Sequence, residues 1–423
     1  MRGNRSLTIL MVVALALAGF SHAGCSEGAE KTAEELLPVA HAPQYSIGER
    51  IGMARLIQSG DFNEDGNPDL LILATSSDPE GTRPWRMQVV LLLGDGAAGF
   101  HSPQVMLDVA EVLRQGELVW RGLGGIAVGD FDLDSHLDFA VTDAVNEGVW
   151  IFWGDRTGGF SATFVKTGDG SALSAIVSGN FSGEGQPELA AIDPLARMIY
   201  VFSPAKKRDV FENITTFLLP DNHVPLILAA AGFSGGRYDD LIVLGYKLER
   251  SVGAVAFVVV ISASGTRGFE LRSITYIGDP APPEPPCLAI GDYDRDGHID
   301  ILTVRNQFVF VLWGEKEGFL VRNVYPVPNP LVVQLLLADI DRDDCLDIVL
   351  LGMGTQRVWV SSGCYGGTHH MGPVALNRPP CCSVIDDVNG DGIPDLIVAT
   401  TAWGDWTYID VFLGKGGIAD AGP

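Results

Sequence analysis

The residues able to do chemistry in this chain gather in one recurring acidic pattern. Residues 291–302 read GDYDRDGHIDIL, which puts carboxylates at Asp292, Asp294, Asp296 and Asp300, the first, third, fifth and ninth positions of a loop whose sixth residue is Gly297. Four carboxylates this close repel one another unless a hard cation lies among them, and calcium takes several at once in a flexible shell of oxygens. A single copy reads first as a solvated acidic turn. The chain repeats it.

Asp61, Asn63, Asp65 and Asp69 fill the same four positions, as do Asp130, Asp132, Asp134 and Asp138. Asp339, Asp341, Asp343 and Asp347 form a fourth full copy, and Asp387, Asn389, Asp391 and Asp395 a fifth. Two degraded copies lie between the second and third. One keeps Asn180, Ser182, Glu184 and Glu188 as weaker oxygen ligands, while the other keeps only Asp240 and is expected to bind nothing.

Positioning such loops needs strands on either side. Successive loops start 47 to 69 residues apart, the period of a propeller or solenoid unit. Each is preceded by a short apolar run, such as residues 335–337, and followed by another, such as 347–351. A third apolar run ends in an aromatic and glycine-rich turn, as in VWIFWGDRTGGF at 149–160, and a more polar fourth run follows, as at 319–325. Three apolar strands and one polar strand suit a propeller blade, whose inner strands are sandwiched between neighbours while the outer one meets water. The last unit lacks a fourth strand. Residues 44–47, ahead of the first unit, have outer-strand character and are expected to complete the seventh blade, leaving the ring without open edges.

The paired signal of D-x-[DN]-x-D-G-x-x-D and a downstream Gly-Phe turn resembles the FG-GAP/VCBS repeat family, the seven-bladed β-propellers typified by the integrin α-subunit head. The resemblance covers residues 42–418. It implies that each loop joins the first and second strands of a blade and binds calcium through the side chains named above, at about five sites. It also implies a backbone carbonyl ligand at the seventh position, which is Asn67, His136, His298, Cys345 or Ile393, with the two histidine rings left in solvent. EF-hands are the rival for such a motif. They require an acidic residue at the twelfth position and flanking helices, whereas here that position is Ile72, Val141, Thr303, Leu350 or Val398, inside a strand.

The formal charge of -25, with only 28 Lys and Arg, argues against a nucleic-acid partner. Five calcium ions would bring it to -15. Arg2 and Arg5 precede an apolar run at 7–20 that is short for a membrane span, the form of an export signal. Ser21-His22-Ala23 offers a signal-peptidase site. Alternatively, Ala23-Gly24-Cys25 resembles a bacterial lipobox that would make Cys25 a lipidated first residue, although His22 stands where an aliphatic residue is usual. Residues 26–41 then read as a tether, 42–418 as the propeller and 419–423 as a tail. The protein is expected outside the cytoplasm, as an outer-membrane or cell-surface lipoprotein or else secreted or periplasmic, monomeric, and touching membrane only through that lipid.

Export permits disulfides. Cys345 and Cys364 fall in turns at the loop end of one unit and are expected to pair, while Cys381 and Cys382 either bridge each other or leave a thiol for Cys287. For function, the sequence favours a binding, adhesion or scaffold module. Its protein or glycan ligand is expected on the face away from the calcium loops, where the irregular stretches 76–86, 108–125, 278–286 and 402–407 lie. Trp85, Trp403 and Trp406 beside Arg83, Arg86 and Asp405 are candidate contacts there, unless the tryptophans simply cap blade ends. The alternative is a polysaccharide-active, lyase-like enzyme. That chemistry calls for a His, Tyr, Lys or Arg grouping around a cleft. His369-His370 is the adjacent pair in the sequence and reads more simply as a solvated turn.

Overall fold

Each acidic loop is entered from one apolar strand and left through another, and the two pair as an antiparallel hairpin. In the first, Met53–Gly60 lies against Asp69–Ser76 with Gly60 opposite Asp69. The hairpin of Leu288–Gly291 and Asp300–Arg305 has the same register, with Gly291 opposite Asp300. The computed structural model describes Ala40–His41, Tyr45–Ser46 and residues 52–414, except 77–85, 112–120, 169, 205–210, 234–236, 250–252, 264–267, 282–286, 306, 316–317, 328–330, 341, 343, 353, 362–370 and 403–405. Among the described residues there is no helix.

Seven sheets follow in chain order. Blades 1 to 6 each take four consecutive antiparallel strands, spanning 53–110, 123–166, 175–218, 223–281, 288–326 and 332–375. Blade 7 has three, Pro380–Asp386, Asp395–Ala402 and Trp406–Leu413. Its fourth position is filled from the other end of the chain, where Tyr45 pairs with Ile409 and Ser46 with Tyr408, as expected for residues 44–47. Ala40 and His41 pair with Leu413 and Phe412, so strand pairing begins inside the stretch read as tether. Thr407 ties the closure further, donating to the Gly52 carbonyl at 2.5 Å and accepting from the Ala54 amide at 3.0 Å.

Burial explains why the strands have these compositions. Second strands such as Asp138–Asp143, Asp300–Arg305 and Asp347–Gly352 are buried along their whole length, whereas the outer Phe160–Lys166 is half exposed. Apolar side chains on both faces of each sheet pack into seven separate clusters, one between each pair of adjacent blades. The cluster joining blade 7 to blade 1 sets Ile57, Leu70 and Val90 against Ile397, Ile409 and Val411. First strands of neighbouring blades adjoin around the inside of the ring. The chain is a seven-bladed β-propeller.

Blade 4 departs from the sequence expectation. Its strands are longer than the others, and Phe269–Ala281 runs through residues that had read as the start of an irregular connection. Arg86, a candidate ligand contact, pairs with Asp108 at 2.6 Å within blade 1 and remains part-exposed.

Candidate metal centres

The loops hold their shape by turning their own carboxylates onto their own backbone. In blade 1 the Asp61 carboxylate accepts the amides of Asp65 at 3.1 Å and Gly66 at 2.9 Å, and Asp65 accepts that of Asn67 at 2.9 Å. Blades 2 and 7 repeat these bonds around Asp130 and Asp387. Such wrapping takes left-handed backbone at two positions. The fourth residue has positive φ in Glu64, Leu133, Arg295, Arg342 and Gly390, and the sixth in Gly66, Ser135, Gly297, Asp344 and Gly392. Glycine at the sixth position is therefore favoured but replaceable, as Ser135 and Asp344 show.

The ninth residue does something the sequence pattern does not announce. Asp69, Asp138, Asp300, Asp347 and Asp395 are all buried. One oxygen accepts the amide of the second loop residue, Phe62, Phe131, Tyr293, Ile340 or Val388, at 2.8 to 3.1 Å. In blades 1, 2, 5 and 7 the other oxygen accepts the amide of the glycine closing the third strand, Gly94, Gly154, Gly314 or Gly414, at 2.7 to 2.8 Å. The second loop residue is itself a buried apolar anchor, Phe62 lying edge-on to Phe139 of the next blade with ring centroids 6.2 Å apart. An apolar residue at the second position of every copy was the available sequence signal for this anchor. In these four blades the loop is thus clasped to the third strand, and in all five its second residue is buried in the interface between blades.

These carboxylates also converge. In blade 2 one oxygen each from Asp130, Asp132 and Asp138 lie within 4.8 Å of one another, and in blade 5 the same holds for Asp292, Asp294 and Asp300. In blades 1 and 7 the third ligand position is the amide oxygen of Asn63 or Asn389. Asp292 Oδ1 is buried without a hydrogen-bond partner, an arrangement that a cation would satisfy. All donors are hard oxygens, so the set fits calcium. Burial first, then the neighbouring carboxylates, pushes the clasp residues above the usual carboxylate range: Asp69, Asp300 and Asp395 to about 6 and Asp138 to about 7, against the lowering effect of their backbone hydrogen bonds. Asp294 is raised for the same leading cause.

His136 corrects one expectation. Its part-exposed ring has a partner: Nδ1 pairs with Glu64 of the blade 1 loop, which Arg156 also meets at 3.0 Å, so neighbouring loops are cross-linked. The hydrogen bond to Glu64 raises the His136 pKa. Sequence offered no sign of this pairing, because the partners lie in different repeats.

The degraded copies are held by other means. In blade 3 the two oxygens of buried Glu188 accept the Ser182 amide and the Ser203 hydroxyl, and Asn180 Oδ1 accepts the Gly183 amide at 2.9 Å. Blade 4 buttresses this loop, Asp239 accepting the Asn180 amide at 2.8 Å. Protein groups thus already engage the expected ligands Asn180 and Glu188; the Ser182 hydroxyl meets the Glu184 amide at 3.4 Å.

Cys345 is disulfide-bonded, and Cys287, Cys381 and Cys382 are thiols. The vicinal bridge is therefore not formed, since both residues sit in the paired strand Pro380–Asp386, where extended backbone does not bring adjacent sulfurs into bonding geometry. Burial pushes the Cys381 thiol up to about 11. Cys364, the partner expected for Cys345, lies outside the described residues. So do Cys25, Asp341, Asp343, Arg83, Trp85, His369, His370, Trp403 and Asp405, and Trp406 is described only as the first residue of the last strand.

No protein-family model and no curated protein matches the chain. Solved structures share its fold. The Dos1 propeller aligns with a TM-score of 0.54 at 10% identity, over 90% of this chain and 96% of that one. BBS1N, solved in complex with ARL6DN, aligns at 0.52 and 10% identity, over 89% and 98%. A lectin from Agrocybe aegerita that recognises non-reducing terminal N-acetylglucosamine aligns at 0.51 and 14% identity, over 77% and 81%. At these identities the likeness is one of architecture.

Proposed function

We propose that this protein is a calcium-stabilised extracytoplasmic propeller of the FG-GAP/VCBS type, acting as a binding or scaffold module. The observation that carries the calcium reading is the convergence of Asp292, Asp294 and Asp300 together with the orphaned Asp292 Oδ1. Calcium would supply positive charge among these carboxylates and pin each inner hairpin; the chain's own residues supply the clasp and the apolar anchor. Extracellular modules bind calcium at about 10⁻⁴ to 10⁻³ M, within reach of an external calcium pool. Partners of the protein class are favoured by the occurrence of a propeller of this shape in a protein complex, and glycans by the lectin. A thermal melt with calcium and then with excess chelator tests the stabilisation; identical melting temperatures would sink it. A glycan and matrix-protein array tests the module, and mass spectrometry of the mature N-terminus separates lipidated Cys25 from cleavage after Ala23.

One observation favours the enzymatic alternative. Blade 4 brings together the grouping that polysaccharide chemistry calls for: buried His223 donates from Nδ1 to the Asp221 carbonyl at 2.9 Å, so its Nε2 accepts the Tyr276 hydroxyl at 3.1 Å. The Lys247 ammonium stands 5.0 Å from the ring of half-exposed Tyr276. A lyase using this phenol would release unsaturated sugars from uronate polymers, seen as ultraviolet absorbance. Absence of that signal across such polymers removes this reading.

A further inference from the structure

The residue just before each loop ends the first strand of its blade. In six blades it is small: Gly60, Gly129, Gly179, Ala231, Gly291 and Ala338. Packing explains part of this. A Cβ on Gly60 would stand 3.0 Å from Leu137 of the next blade, and one on Gly291 2.7 Å from Leu346 of the next. Blade 7 breaks the rule with Asp386, a half-buried carboxylate that belongs to no metal loop.

Next to Asp386 the structure opens. A cleft of about 460 Å³ lies between blades 6 and 7 at the loop end of the ring, lined by Leu336, Leu337, Val384 and Ile385 and by the carboxylates Asp386 and Asp387. Asp386 Oδ1 accepts the Asp387 amide at 2.9 Å, which fixes the orientation of the carboxylate. Gly392 also lines the cleft, and the Arg342 guanidinium of blade 6 lies 2.9 Å from where its Cβ would stand, so a cation of the chain's own already borders the site.

We propose that this cleft receives an arginine or lysine side chain presented by a partner protein, its aliphatic stem against the Leu336, Leu337, Val384 and Ile385 walls and its cation on Asp386. Long basic side chains bury their stems on apolar surface while the charged head keeps a polar partner, and guanidinium matches carboxylate in a two-pronged geometry. The volume suits such an insertion, being within the range of about 300 to 1,000 Å³ typical of ligand sites. The chain stays acidic with five calcium ions bound, at -15 against -25 without them, which draws basic partners toward it. The inference rests on the binding-module reading and moves the contact to the loop end, away from the opposite face favoured by the sequence.

The test is a methyl-labelled NMR titration of the calcium-loaded full chain with Nα-acetyl-arginine amide, and with its uncharged isostere Nα-acetyl-citrulline amide. Saturable shifts are expected at the methyls of Leu336, Leu337, Val384 and Ile385 with arginine, and binding weaker by about tenfold or more with citrulline. Asp386→Asn, which keeps an acceptor for the Asp387 amide, should weaken arginine binding similarly and leave the calcium-loaded melting temperature unchanged; Asp386→Gly, which restores the residue type of four other blades, should weaken arginine binding as much. Equal response to arginine and citrulline, unaffected binding in both variants, or shifts confined to other methyls would overturn the proposal. Protein ligands from an array whose binding Asp386→Asn leaves intact would overturn the cleft alone; an array with no ligand of any kind would overturn the module reading and the cleft with it.

Discussion

Asp138 is a clasp as well as a candidate ligand, and the two roles can be separated. Its oxygens accept the Phe131 and Gly154 amides, both of which would be left buried and unpaired in Asp138→Ala. That should cost about 2–6 kcal/mol, with or without calcium, given about 1–3 kcal/mol for each orphaned group. Asp132→Ala breaks no such clasp and should lose only the calcium-dependent part. Denaturant unfolding of both variants in calcium and in chelator measures the difference; an Asp138→Ala chain as stable as wild type in chelator would refute the clasp. The same burial sets a pH dependence. Asp69, Asp300 and Asp395 at about 6 and Asp138 at about 7 lie above the ordinary value of 3.8, so between these limits the metal-free native chain holds more protons than the unfolded one. Its stability is full below about pH 4 for these groups and is lost as pH rises through about 7. In chelator the protein should therefore melt higher at pH 5 than at pH 8. Calcium, which needs the ionised form, should reverse that order.

The loop as an element is a backbone device before it is a binding one. Its fourth position takes left-handed backbone in blades 1, 2, 3, 5, 6 and 7, and of these blades 3 and 7 place glycine there, at Gly183 and Gly390. Leu133 holds φ 61° while 56% exposed, so it carries strain without packing in return. Leu133→Gly should stabilise blade 2 by about 1 kcal/mol, because a β-carbon in this region costs roughly 1–2 kcal/mol. A shift of the denaturation midpoint in the opposite direction would show that the strain is relieved some other way. The pattern of acidic positions was legible because each repeat states it locally. The strain at Leu133 was not, since the fourth position tolerates Glu, Leu and Arg and only the chain's path shows what they bear.

For the whole molecule, stability is shared among seven interfaces between blades, and the ring is closed by residues that are distant in sequence. Tyr45 and Ser46 pair with the last strand, and Thr407 binds Gly52 and Ala54. A chain starting at Gly52 keeps every metal loop but exposes the edge of Trp406–Leu413. It should unfold at lower denaturant and self-associate through that edge, which sedimentation would show as oligomers. A monodisperse truncation of unchanged stability would mean that the blade 7 edge is protected without the N-terminal strands.

The sequence by itself determined the number of blades, the order of their strands, the place of the acidic loops and the strand that closes the ring. These follow from periodicity and from alternation of apolar and polar residues, which act over short distances, and from an unpartnered strand at one end of the chain matching a missing fourth strand at the other. Tertiary structure alone decided that the ninth aspartate clasps the third strand, that His136 meets Glu64 of the preceding blade, that Glu188 is satisfied by Ser182 and Ser203, and that Asp386 borders a cleft. Each of these joins groups from different strands or blades, and their distances are set by how the sheets twist and pack around the ring.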